Sequence, residues 1–320
     1  MIATSVSTLK PFLKGLLTFI PGVQRAFYDR QAGGHTASAS YCYGVWLKHL
    51  SLLRQNGMQD VPRTVLEIGP GDSLGTGIAA LLSGAQHYAG IDQVRHAGVE
   101  TTRPVLKELV AMFHARAPRP KKGWPDFDAC LDARLFPSAI LTEEKLGYAL
   151  APERLAALAF AVDRLDSTPQ HPSLRYSTWR EPAPLLDAQA DLIFSHVVLC
   201  LVDDLDRIYG QCARWLKPGG WMSHQTAFDS LGVTDVWNAH LGYTEAEWAA
   251  ISGRRPFFVN RERLSTHLRL LKKHGFDVVQ VLRQEAEGGI ERTQMAPRWQ
   301  HISDDDHRCA GAFLIARKRG

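Results

Sequence analysis

The residues best suited to chemistry sit in one short run, Leu66-Glu67-Ile68-Gly69-Pro70-Gly71-Asp72-Ser73, and in an acid, Asp92, that follows Gly69 by 23 residues. Two glycines after an apolar run let the backbone pass close to a ligand, since no β-carbon intervenes. A helix start behind them offers free N–H groups to a carboxylate or phosphate. Such a turn is also common for purely structural reasons, so the glycines alone decide little. Asp92 adds the second half: at the tip of the next apolar run, Tyr88-Ala89-Gly90-Ile91, a carboxylate can accept hydrogen bonds from both hydroxyls of a ribose. Together the two features point to a bound nucleoside.

Two further groups of polar residues are candidates for an acceptor or a catalytic base. In Ser223-His224-Gln225-Thr226-Ala227-Phe228-Asp229, His224 can take a proton from a hydroxyl and Asp229 can orient it, the logic of a base held by a third group. The bland alternative is a hydrogen-bonded strand-end histidine and a loop cap. Further on, Trp237, His240, Tyr243, Arg254, Arg255, Asn260 and Arg261 mix rings with guanidinium groups. That mixture suits a polar, ring-shaped or anionic substrate, because arginine offers a fixed fork and tryptophan a stacking face. It also suits a tryptophan core under a solvated arginine face. His301, Asp304, Asp305, Asp306 and His307 read as a solvated acidic loop, and no metal is expected.

The elements that must position these residues alternate. Thr64 to Ile68 reads as a strand, followed by a glycine loop and a helix through Ile78, Ala79, Leu81 and Leu82. Tyr88 to Asp92 is a second strand, and a helix carries Val105, Leu106, Leu109, Val110 and Phe113. Alternation of this kind calls for a parallel sheet buried on both faces. It stops between about 117 and 173, a Pro-rich and then helical insertion that reads as a lid over the ligand cleft. It returns with strands at Leu174–Ser177, Ala190–Ser195 and, after Lys217-Pro218-Gly219-Gly220, Trp221–Gln225. A helix with Asn260 as its cap, Leu264, Leu268 and Leu271 as its stripe and Gly275 past its end precedes Phe276–Leu282. Ala310–Ala316 closes the sheet, with the last two strands antiparallel. Thr244 and Glu247 make a capping box. Upstream, about Ser38 to Gln55 is helical, with Tyr43, Trp46, Leu47, Leu50 and Leu53 on one face.

NAD and S-adenosylmethionine (SAM) both present a ribose, and the loop decides between them. Only two glycines of G-x-G-x-x-G are present, with Leu74 at the third place. From Val65 to Phe313 the order of motifs resembles the class I SAM-dependent methyltransferases: Glu67-Ile68-Gly69-Pro70-Gly71, then Ala190-Asp191-Leu192-Ile193-Phe194-Ser195-His196, then Leu216-Lys217-Pro218-Gly219-Gly220. The resemblance implies a doubly wound α/β fold, with a mostly parallel seven-stranded sheet whose last strand is antiparallel. It implies that Glu67, Gly69 and Gly71 line the methionine part of SAM and Asp92 its ribose. Pro70, Asp72, Ser73 and Gln93 would complete that wall, Thr178 and Trp179 would face the adenine, and Ser195 and His196 would lie beside the sulfonium. Ser73 stands where many members have another glycine.

The segment with Trp237, His240 and Asn260 also resembles a bacterial subgroup in which an acid and a second histidine follow strand five. Here Ala227 and Leu231 stand at those places, so His224, His196 or His240 would substitute, or no base is needed. The expected activity is methyl transfer from SAM to an oxygen of a small polar acceptor such as a sugar. The alternatives are an NAD-dependent oxidoreductase and a non-catalytic SAM-binding scaffold. The expected division is an N-terminal helical cap over 1–60 and a methyltransferase domain over 61–320, with the insertion at 117–173 and an acceptor-side segment at 229–263.

Bulk properties narrow the partners. The 320 residues are 45% apolar, with 37 basic against 33 acidic side chains and a net charge of +4. No basic run stands out, so nucleic acid is not expected. Five scattered cysteines without a CxxC pair fit a reducing, cytoplasmic setting. Leu9 to Val23 is apolar but carries Lys10, Lys14, Pro11 and Pro21 and is too short to span a bilayer. It reads as an amphipathic helix packed on the domain or over the site, the alternative being a membrane-surface contact. Stable membrane insertion is not expected, and a homodimer is left open.

Overall fold

The computed structural model describes residues 6–22, 35–120, 127, 130–131, 135–165, 173–181, 187–255 and 257–320. Seven strands, β1 (Thr64–Ile68), β2 (His87–Asp92), β3 (Leu174–Thr178), β4 (Ala190–His196), β5 (Leu216–Ala227), β6 (Phe276–Glu285) and β7 (Cys309–Lys318), form one sheet in the order β3-β2-β1-β4-β5-β7-β6. All neighbours are parallel except β7, which runs antiparallel to β5 and β6. This is the sheet expected from the alternation. The Lys217–Gly220 turn is absorbed into the start of β5, where the register with β4 shifts between Ala190 and Leu192.

Side chains alternate across a strand, so each strand feeds two cores. Val65, Tyr88, Leu192 and Phe194 join the cluster on one face, under α2 (Ala39–Gln55), α3 (Gly75–Leu82) and α4 (Val99–His114). Leu66, Ile68, Ile91 and Ile193 join the other, under α7 (Leu205–Trp215) and α9 (Leu264–Lys273). Helix α2 is capped by the Ser38 side chain accepting from the Tyr41 amide. It is buried so thoroughly, with the Trp46 indole donating to Ser83 Oγ at 2.8 Å, that it belongs to the main core.

The insertion contributes α5 (Glu143–Ala149) and α6 (Pro152–Asp163). They lie against α3 and α4 respectively, with Arg103 paired to Asp163 at 2.8 Å and Arg154 donating to the Leu81 carbonyl. None of its described residues lines the cleft, and these two helices form an outer layer over α3 and α4. On the far side, α1 (Val6–Leu17) rests on α8 (Glu245–Ser252), which starts at the Thr244–Glu247 capping box. Val23, at the end of the apolar N-terminal run, lies outside the described residues.

Two late details differ from expectation. Arg263, not Asn260, is the residue before α9, and its side chain makes no cap. Asp306, in the short helix α10 (Asp304–Arg308), accepts from the Ser265 amide at 3.0 Å and so holds the start of α9. The acidic run between the last two strands is thus partly structural: Asp306 is buried.

Candidate active site

The strand order reverses between β1 and β4, and their carboxyl ends diverge there, opening a crevice as such sheets do. A cleft of about 1460 Å³ occupies that place. Its floor is the loop after β1. Gly69 and Gly71 have φ of +77° and +79°, a region L side chains avoid. A β-carbon on Gly69 would also fall inside the Val198 methyl groups. The Gly69 amide donates to the Ile91 carbonyl at 2.9 Å, and the Gly71 amide to Asp92 Oδ2 at 3.2 Å. The Tyr176 hydroxyl donates to the same carboxylate oxygen at 3.2 Å. Burial nevertheless raises the Asp92 pKa to about 7, against the opposing effect of these two donors. Further donors there, such as ribose hydroxyls, would favour its charged form.

The roof comes from the segment ahead of α2. His35, Thr36, Ala37, Ser38 and Tyr41 line the cleft. Ser73 fastens this segment to the glycine loop: its hydroxyl donates to the Thr36 carbonyl, and its amide donates to Thr36 Oγ1 at 3.3 Å. The position where a further glycine was noted as usual is therefore a latch.

At the end of β4, the chain turns through Val197, a β-branched residue at φ +57°, whose amide donates to the Gln225 carbonyl at 2.7 Å. Beside this turn, His196 lines the cleft. Its Nδ1 lies 3.4 Å from His49 Nε2, and His49 Nδ1 lies 2.7 Å from Ser223 Oγ. His196 Nε2 is buried with no hydrogen-bond partner in the structure, and the Tyr41 ring meets the imidazole edge-on at 5.9 Å. Burial, helped by Lys48, lowers the His196 pKa to about 3, so the imidazole is neutral at physiological pH.

Of the residues expected at the cofactor, Gly69, Gly71, Asp92, Gln93, Trp179 and His196 line the cleft. Trp179 is backed by Trp215, stacked at 5.6 Å. Glu67, Pro70, Asp72, Ser73, Thr178 and Ser195 are not among the lining residues. Glu67 is buried behind the loop, accepting from the Tyr88 hydroxyl at 2.6 Å, and burial raises its pKa to about 8. The Thr178 amide donates to Glu181 at 3.3 Å.

Of the three candidate bases, His224, His196 and His240, His196 alone is among the cleft-lining residues. His224 lies on β5 with its Nδ1 2.8 Å from Ser195 Oγ and its ring edge-on to Tyr209. It is 1% exposed and does not reach the cleft wall. Asp229 sits beyond β5, also off the wall, its pKa raised by burial with Arg263 opposing that shift.

The acceptor-side residues are not brought to the cleft either. Arg261 lies between Trp248 and Trp299 and pairs with Glu245 at 2.6 Å. Tyr243 stacks on Trp248, and the buried His240 lies tilted against the same ring. Trp237 faces the Arg263 guanidinium, Arg254 covers Phe19 and Arg255 covers Phe258. Asn260 donates to the Leu199 and Val202 carbonyls, at 2.8 Å each, and so holds the turn after β4. Ala227 and Leu231 are off the wall as well, so their identity removes no base from it. Sequence reasoning missed Tyr41, His49, His96, Arg207 and Phe257; His49 sits next to Lys48 among the polar residues of α2, and nothing local set it apart.

A family model described as a methyltransferase domain matches residues 40–281. Over 67 residues the chain is 37% identical to malonyl-[acyl-carrier protein] O-methyltransferase of Methylococcus capsulatus, a match that covers 20% of this chain and 24% of that relative. Among solved structures, an S-adenosylmethionine-dependent methyltransferase from Mesorhizobium loti is similar at 14% identity, over 83% of this chain and 96% of that one, with a TM-score of 0.41. Phosphoethanolamine N-methyltransferase 2 of Haemonchus contortus, in complex with phosphomonomethylethanolamine and S-adenosylhomocysteine, is similar at 15% identity over 93% of this chain and 60% of that one, with a TM-score of 0.44.

Proposed function

The chain belongs to the methyltransferase-domain family, whose model covers residues 40–281, and from that premise we propose that this SAM-dependent enzyme methylates a hydroxyl oxygen of a small polar acceptor held beside His196. Membership makes SAM rather than NAD the nucleoside for the cleft. The cleft fits it: glycines free of β-carbons form the floor, and the Asp92 carboxyl, raised to about 7 by burial, is short of donors that a ribose would bring. At about 1460 Å³ the space exceeds the several hundred cubic ångströms typical of a single ligand and leaves room for an acceptor.

SAM supplies an electrophilic methyl carbon on its sulfonium. The chain's own part is to hold the acceptor in line and to take one proton from it. The observation that carries the oxygen reading is His196: a neutral imidazole at the cleft wall, with Nδ1 turned to His49 and Nε2 unpartnered. In the tautomer where Nδ1–H donates to His49 Nε2, and His49 Nδ1–H donates to Ser223 Oγ, His196 Nε2 is a bare acceptor. A lowered pKa does not disable it, because an oxygen that has just gained a methyl group holds its proton far more weakly than an imidazolium does. The short match to an O-methyltransferase agrees with this reading.

The test is S-adenosylhomocysteine release with pairs of small molecules that differ only in carrying a hydroxyl or an amine. Turnover of hydroxyl members is expected; turnover confined to the amines would overturn the oxygen reading.

A further inference from the structure

Helix α1 docks by its small residues and Phe12 and leaves Leu13, Leu16 and Leu17 in water. Pro11, Gly15 and Thr18, at i, i+4 and i+7, are buried against α8. A β-carbon on Gly15 would collide with the carbonyl oxygens of Ala250 and Ile251, and Thr18 Oγ1 accepts from the Arg254 amide at 2.8 Å. Phe12 meets Tyr243 edge-on at 5.8 Å. The opposite face carries Leu13, Leu16, Leu17 and, in the turn after the helix, Ile20, at i, i+3, i+4 and i+7, with Phe19 beside them. These five side chains are between 45 and 57% exposed. Among the described residues only twelve large hydrophobics are exposed, so five within eight positions form a patch rather than scatter.

Charge says what covers it. Lys10 and Lys14 are exposed on the same helix, the Arg254 guanidinium lies 4.9 Å from the Phe19 ring centre, and no acid occurs between residues 6 and 22. We propose that α1 and the turn after it form an interfacial anchor that seats the enzyme on an anionic lipid surface. Leu13, Leu16, Leu17, Phe19 and Ile20 enter the acyl boundary, and Lys10 and Lys14 meet the headgroups. An apolar stripe edged by lysines on a helix lying in the interface plane is how such contacts are made. No helix among the described residues is long and apolar enough to cross a membrane, so the contact is peripheral.

Sedimentation of the full chain with vesicles of phosphatidylcholine, alone or mixed with phosphatidylglycerol, tests this. The chain is expected to pellet with the mixed vesicles, at least about tenfold more tightly than with the neutral ones, and to be released by salt. L13E/L16E/L17E should weaken that binding by at least about tenfold with an unchanged melting temperature, since the three side chains are exposed. K10E/K14E should abolish the preference for phosphatidylglycerol. Three results would overturn the proposal: no pelleting with either vesicle, binding that ignores phosphatidylglycerol, or a dimer in sedimentation velocity that the triple variant dissociates while vesicle binding is absent.

Discussion

As the proposed base, His196 is backed by two residues that do not line the cleft. Its Nδ1 faces His49, which faces Ser223, and the proposed base requires the tautomer in which Nδ1–H donates to His49 and Nε2 is bare. On the other side of β1, Asp92 is set by Gly71 and Tyr176. Glu67, one side of the loop away, has a structural role that can be tested by pH. Its folded pKa of about 8 lies above the ordinary 4.5, so the folded protein holds a proton that the unfolded chain releases. That contribution is complete below about pH 4.5 and is lost as pH rises through about 8. In urea unfolding, the midpoint of wild type relative to Glu67→Gln should therefore fall between about pH 5 and 8.5, leaving the variant the more stable at the alkaline end. Parallel midpoints across that range would remove the buried neutral carboxyl from the account. The type and spacing of Glu67, Gly69, Gly71 and Asp92 were legible in the sequence, but the sequence did not say that Glu67 points to Tyr88 rather than to the ligand. Residues on one strand tip alternate in direction, and a shift of one position separates wall from core.

At the scale of elements, the cleft wall depends on parts that looked like acceptor chemistry. Asn260 spans two carbonyls of the turn after β4, whose residues Leu201 and Val202 line the cleft. Asn260→Ala should cost about 1–3 kcal/mol of stability by leaving both carbonyls without this donor. It should also lower SAM affinity by loosening the wall, read together by urea unfolding and calorimetry. Full stability in the variant would return Asn260 to the substrate side. The strands were legible because short continuous apolar runs and glycine punctuation are local signals. The segment 229–263 was not, because rings mixed with arginines describe a substrate pocket and a cation–π core equally well. What decides is Trp299, from a distant stretch of chain, closing on Arg261. The roof escaped notice for a similar reason: Thr36 gains its role only from contact with Ser73.

Taken whole, the molecule is a sheet with a core on each face, a cleft where strand order reverses, and an N-terminal region that supplies α2 to one core, a roof to the cleft and an apolar face to the outside. The two-core sheet followed from alternation, and the cleft from the fixed hand and order of such connections. The roof did not, since it arises where the N-terminal region folds back onto the loop after β1, and neither did the contact of His49 with His196, one of the three candidate bases. Methyl transfer is the output of all these parts, and its base is the central claim. The decisive measurement is the single-turnover rate of methyl transfer to a hydroxylated acceptor, from about pH 5 to 8.5, in wild type and His196→Ala, with S-adenosylhomocysteine affinity measured on both. A base whose pKa is about 3 is unprotonated throughout that range. The wild-type rate should therefore be flat with pH, and His196→Ala should lose at least about a hundredfold while its affinity changes by less than about threefold. A wild-type rate in His196→Ala, or an acid limb near pH 6.5, would contradict it.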